Sequence, residues 1–90
     1  MKFTDRSIRA LTTSEKRYIE WKDGGGGLGL RVTPNGRKTF IYMYRFDGRP
    51  RMMTLGVYPK TTLADAHQDH ASALKLLERG KDPGEKKVEA

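Results

Sequence analysis

Two alternating runs joined by a turn with its own chemistry constrain this chain more than anything else in it. Leu28–Thr33 puts Leu28, Leu30 and Val32 on one side and Gly29, Arg31 and Thr33 on the other, the period-two pattern of a strand with one buried face. Lys38–Phe46 repeats it over a longer run. Phe40, Tyr42, Tyr44 and Phe46 fall on one side, and Thr39, Ile41, Met43 and Arg45 on the other. Between the runs, Pro34-Asn35-Gly36 supplies a fixed φ and then two residues that tolerate positive φ. Asp47-Gly48 is a favoured pair for a tight hairpin, and Arg51–Leu55 returns as a further strand. Three strands and two turns make an antiparallel meander.

The flanking sequence adds layers. Arg17–Asp23 carries the β-formers Tyr18, Ile19 and Trp21 and reads as another strand. Gly24–Gly27 then breaks the chain, since four glycines cost too much entropy inside a strand. Thr4–Leu11 can form one or two helical turns, with Thr4 or Asp5 as N-cap. After Tyr58-Pro59 the period becomes helical: Thr62 and Asp65 fit a capping box. Leu63, Ala66, His70, Ala73, Leu74 and Leu77 form an apolar stripe. Gly80 and then Asp82-Pro83 stop the helix. The expected fold is α+β: a three- to four-stranded antiparallel sheet packed on one long C-terminal helix, with a short N-terminal helical turn. Residues 1–83 form the domain, and 84–90 a polar tail or the start of a linker. The ladder Phe40/Tyr42/Tyr44/Phe46 suits either a base-stacking platform or the core face. One sheet face must be buried under the helix stripe, which favours core.

Charge gives the first functional pointer. Residues 1–60 hold 13 basic and 5 acidic side chains, whereas residues 61–90 hold 5 and 6. A basic field concentrated on part of a small domain draws polyanions and points to nucleic acid. Other classes fall away. With 0 Cys in 90 residues, disulfides, thiol nucleophiles and thiolate zinc sites are excluded. No apolar run approaches the ~18 residues of a membrane span, and the N-terminus lacks a signal-peptide core, so the expected location is cytoplasmic, at the nucleoid when bound. Gly24-Gly25-Gly26-Gly27-Leu28-Gly29 satisfies G-x-G-x-x-G literally, but a strand rather than a helix follows, which removes the phosphate cradle. His67 and His70 share a helix without a convincing third metal ligand. No nucleophile elbow is present. Neither cofactor, metal, small-molecule substrate nor catalysis is expected.

The residues also carry a resemblance. The run Gly27–Phe40, then Tyr42-Met43-Tyr44-Arg45-Phe46-Asp47-Gly48 and Thr54-Leu55-Gly56-Val57-Tyr58-Pro59, resembles the N-terminal arm-type DNA-binding domain of prophage integrases, tyrosine recombinases of the P4-like group. Phe3-Thr4-Asp5, Thr62-Leu63-Ala64-Asp65-Ala66 and Gly80-Lys81-Asp82-Pro83 complete it, so that it covers about residues 3–83. His67 stands where the family commonly has Arg, Ile41 and Met43 where basic residues often alternate with aromatics, and the glycine run is long. The resemblance implies a non-catalytic module that grips double-stranded arm-type sites beside a phage or genomic-island attachment site. The cutting and rejoining chemistry would lie in other domains, so no tyrosine here is a nucleophile.

On this reading Arg31 and Arg45 face base edges or adjacent phosphates, and Thr39 and Thr54 make short polar contacts. Arg37, Lys38, Arg49 and Arg51, at turns or strand ends, meet flanking phosphates. Two rivals stay open. One is an RNA-binding module. The other is a protein-interaction domain joining integrase subunits through Ile41, Met43 and Met52.

Overall fold

Four strands pair in chain order, β1-β2-β3-β4, and every neighbouring pair is antiparallel. The computed structural model describes residues 1–84. β1 spans Tyr18–Trp21, β2 Leu28–Val32, β3 Lys38–Phe46 and β4 Arg49–Tyr58. Asp47 and Gly48 both take positive φ, 53° and 73°, the geometry that a two-residue hairpin needs to match strand twist. The meander and the expected first strand are therefore present. β4 runs further than Arg51–Leu55, because a bulge absorbs one residue. Phe40 pairs with Gly56 and Ile41 with Thr54, leaving Leu55 as the extra residue.

Two helices cover one face of the sheet. α1, Asp5–Arg9, opens on the Thr4 N-cap, with Ser7 completing a reciprocal capping box. α2, Leu63–Glu78, opens on the Thr62–Asp65 capping box and is followed by Gly80 at φ 76°. Under them lie Leu28, Leu30, Val32, Phe40, Tyr42, Tyr44, Met53 and Leu55, joined by Phe3, Ile8, Ala66 and Ala73. The aromatic ladder is thus core: Tyr42 and Tyr44 stack with centroids 5.2 Å apart, and Phe40 meets Tyr58 edge-on at 6.1 Å. Leu74, expected in the helix stripe, is exposed, whereas Leu76 is half-buried. The helix turns Ala66, His70, Ala73 and Leu77 inward, and Leu74 falls outside that arc.

The glycine run is an ordered connection between β1 and β2. Gly27 sits at φ 98°, and its carbonyl accepts from the Met43 amide at 2.9 Å. A Cβ there would stand 2.1 Å from the Met43 carbonyl oxygen, so the close approach demands glycine. His70 packs edge-on against Tyr42, with ring centroids 4.7 Å apart. Burial holds its pKa below the ordinary histidine value, against an opposing backbone hydrogen bond at Gly26.

After α2 the chain turns back onto the sheet. Asp82 is buried and accepts a hydrogen bond from the Tyr44 hydroxyl; its other oxygen meets the Arg51 guanidinium at 2.8 Å. The Gly84 amide donates to Asp82 at 2.9 Å and to the Tyr44 hydroxyl at 3.2 Å. Burial and the Asp82 hydrogen bond push the Tyr44 pKa up to about 12. Of the expected tail, only Gly84 lies within the described residues.

Candidate nucleic-acid interface

The second face of the sheet has neither helix packed on it. Alternation and pairing assign it Ile19 and Trp21 from β1, Gly29 and Arg31 from β2, Thr39, Ile41, Met43 and Arg45 from β3, and Met52, Thr54 and Val57 from β4. Apolar side chains on it stay open to solvent: Trp21 is 41% exposed, Met43 38%, Met52 40% and Val57 38%. The face is not uniformly open. Ile41 is fully buried and Thr39 is 4% exposed. Gly29 pairs with Ile41, and the Trp21 indole lies over it; a Cβ on Gly29 would meet the ring at 2.8 Å.

The face has two zones. From β1 and β2 across to Met52 of β4, Arg17, Tyr18, Ile19, Trp21, Arg31 and Met52 line an open cleft of about 440 Å³. Towards the Asp47-Gly48 turn the sheet narrows. The β2 ladder ends at the Leu28–Tyr42 pair, so from Tyr44 onward only β3 and β4 continue, as a two-stranded ribbon. Met43 pairs with Met52 at the base of that ribbon and Arg45 with Pro50 near its tip. Arg31 pairs with Thr39, six residues from Arg45 along β3, which places the two arginines roughly 20 Å apart at ~3.4 Å per residue. They cannot serve neighbouring base pairs.

The expected contact residues divide accordingly. Arg31, half-buried, and Arg45 and Thr54, both exposed, belong to the open face. Thr39 belongs to it by register, but its burial leaves little surface for contact. Arg37 is exposed in the β2–β3 turn, where its amide donates to the Asn35 side chain at 3.2 Å. Arg49 pairs with Phe46 and so points to the helix side of the ribbon. Lys38 and Arg51 are engaged inside the fold. The Lys38 ammonium donates to the Ile8 carbonyl at 2.8 Å and the Arg9 carbonyl at 3.2 Å, closing the last turn of α1. Arg51 holds Asp82 and lies 5.8 Å from the Phe46 ring centroid. Arg31, Arg37, Arg45 and Arg49 form no ion pair among the described residues. Arg17 and Trp21, which line the cleft, were not among the expected contact residues. The signal was the pairing of Trp21 with Gly29, a bulky ring opposite a missing side chain.

Known proteins match this sequence. The model of the Arm DNA-binding domain family matches residues 3–90. The chain is 52% identical over 58 residues to the putative protein IntB of Escherichia coli K12, covering 64% of this chain and 15% of that protein. It is 36% identical over 80 residues to the integrase of Shigella phage Sf6, with coverages of 89% and 20%. The integrase of Enterobacteria phage P4 is 36% identical over 85 residues, with coverages of 92% and 19%. The chain therefore spans a fifth or less of the length of these relatives. With a family match over nearly all of its residues, on a fold that leaves one basic-edged sheet face open, the chain belongs to the Arm DNA-binding domain family, the arm-type domain of prophage integrases.

Proposed function

We propose that this domain binds double-stranded DNA without catalysing a reaction on it, with the open face of its sheet set into the major groove. The observation that carries the reading is the tapering of the sheet into a two-stranded ribbon whose free face bears Arg45. A major groove ~12 Å wide admits a two-stranded ribbon but not a four-stranded sheet. On the ribbon Arg45 faces base edges. Arg31 and Thr54 meet the DNA from the broad part of the sheet, and Arg37 and Arg49 meet phosphates from the two ends of β3. Lys38 and Arg51 serve the fold first. The domain acts in a tyrosine recombinase, holding arm-type sites beside an attachment site during integration or excision, in the bacterial cytoplasm and at the nucleoid when bound. The strand-cutting chemistry belongs to other parts of such a protein. Among the described residues no helix is long and apolar enough to cross a membrane.

Titration of duplex DNA against salt tests this. The two phosphate contacts of Arg37 and Arg49 give log K against log salt a slope of about −1.8, steepened by about 0.9 for each further phosphate met. A flat response, or equal competition by duplex RNA, overturns the reading. Concentration-dependent self-association without nucleic acid would favour subunit contacts instead.

A further inference from the structure

We infer that the Met43–Met52 pair reads thymine, taking the C5-methyl groups of the bound duplex as its apolar partners. The inference rests on the DNA-binding reading of the open face and specifies which base that face selects. The two methionines are cross-strand partners, exposed at 38% and 40%, at the base of the ribbon. On the β1–β2 side Met52 borders the open cleft lined by Trp21 and Arg31, and Met43 has a bare neighbour. The flanking position is Gly27, whose backbone is hydrogen-bonded to Met43 and which has no side chain to shield it.

The surroundings set the occupant. Arg45 lies two residues beyond Met43 on the same face, and Arg31 lines the cleft that Met52 borders. The ribbon's one acidic side chain is Asp47, at its tip. An apolar patch framed by arginines suits a surface that is anionic at its rim and offers methyl groups within. In duplex DNA the major groove of an A·T pair does this, since thymine alone presents a methyl there. Methionine fits the task because its flexible, polarisable side chain adapts to irregular apolar partners. Arg45, about 7 Å further along the strand, then meets a base within one or two steps of the thymine.

The test uses the wild-type chain first. Duplexes selected by it from a randomised library are remade with deoxyuridine in place of thymidine, which removes the methyl and keeps the O4 acceptor. Affinity is expected to fall about fourfold for each methyl that the pair covers. A Met43→Ala/Met52→Ala variant, checked for native circular dichroism, should bind the thymine and uracil duplexes alike. Equal binding of the two duplexes by the wild type overturns the inference while leaving the DNA-binding reading standing. Absence of any salt-dependent duplex binding overturns both. A wild-type preference for thymine that persists undiminished in the double variant assigns methyl reading to other residues and also overturns it.

Discussion

Arg45 and Arg49 flank the same tight turn yet face opposite sides of the ribbon, because Arg45 pairs with Pro50 and Arg49 with Phe46. Their substitutions should therefore differ in kind. Arg45→Ala should narrow the gap between a selected and a scrambled duplex by roughly 1–3 kcal/mol, the worth of a bidentate guanine contact. Arg49→Ala should weaken both duplexes and make the salt slope shallower by about one. Titration of both variants on both duplexes reads the difference, and equal losses for Arg45→Ala would make it a backbone contact. The facing of Arg45 was legible in the sequence, since strict alternation from Phe40 to Phe46 fixes the side of every residue between them. Arg49, expected only at a turn or strand end, takes its side from its pairing with Phe46. The roles of Lys38 and Arg51 were not legible. Their partners, the α1 carbonyls and the Asp82 carboxylate, are distant in sequence and meet them only through tertiary packing. The burial of Thr39 was hidden for the same reason: a period-two pattern assigns a face but not what lies over it.

At the scale of elements, the aromatic strand and the returning chain hold the domain together. Tyr42 is 2% exposed between α2 and its strand neighbours, stacked on Tyr44 and met edge-on by His70. Tyr42→Ala should cost about 3 kcal/mol by urea denaturation, the loss of a buried aromatic from a small core. The meander, the Thr62–Asp65 capping box and the helix stop were readable because each is local chemistry, whereas the Thr4–Ser7 box of α1 was readable only as an N-cap at Thr4 or Asp5. The bulge at Leu55 was not readable, and Gly56 looked like an ending rather than a passage. Asp82 also read only as a helix terminator, while its carboxylate in fact serves the Tyr44 hydroxyl, Arg51 and the Gly84 amide. Asp82→Ala leaves the buried Tyr44 hydroxyl without its acceptor and should cost about 1–3 kcal/mol. The salt slope of DNA binding should barely change, since the substitution removes no cation.

For the whole molecule, the burial of His70 makes stability depend on pH. The folded state holds the His70 pKa down through burial, with Lys22 and His67 adding repulsion. The unfolded chain takes up that proton more readily, so the contribution is present above the ordinary histidine pKa of about 6.5 and is lost as pH falls through it. The melting temperature should drop between pH 7.5 and 5.5, and less so in His70→Gln. A wild-type profile flat across that range would remove His70 as the cause. The buried Asp82 that fastens residues 82–84 to β3 and β4 has a mechanical consequence. The polypeptide leaving Gly84 departs from beside the tapered hairpin and not from the free end of α2. A tether attached there shares one footing with the hairpin proposed to enter the groove. Tension along it would meet the Tyr44–Asp82–Arg51 rivet, and with it the hairpin, before it reached the bonds that tie Gly80 and Lys81 to α2.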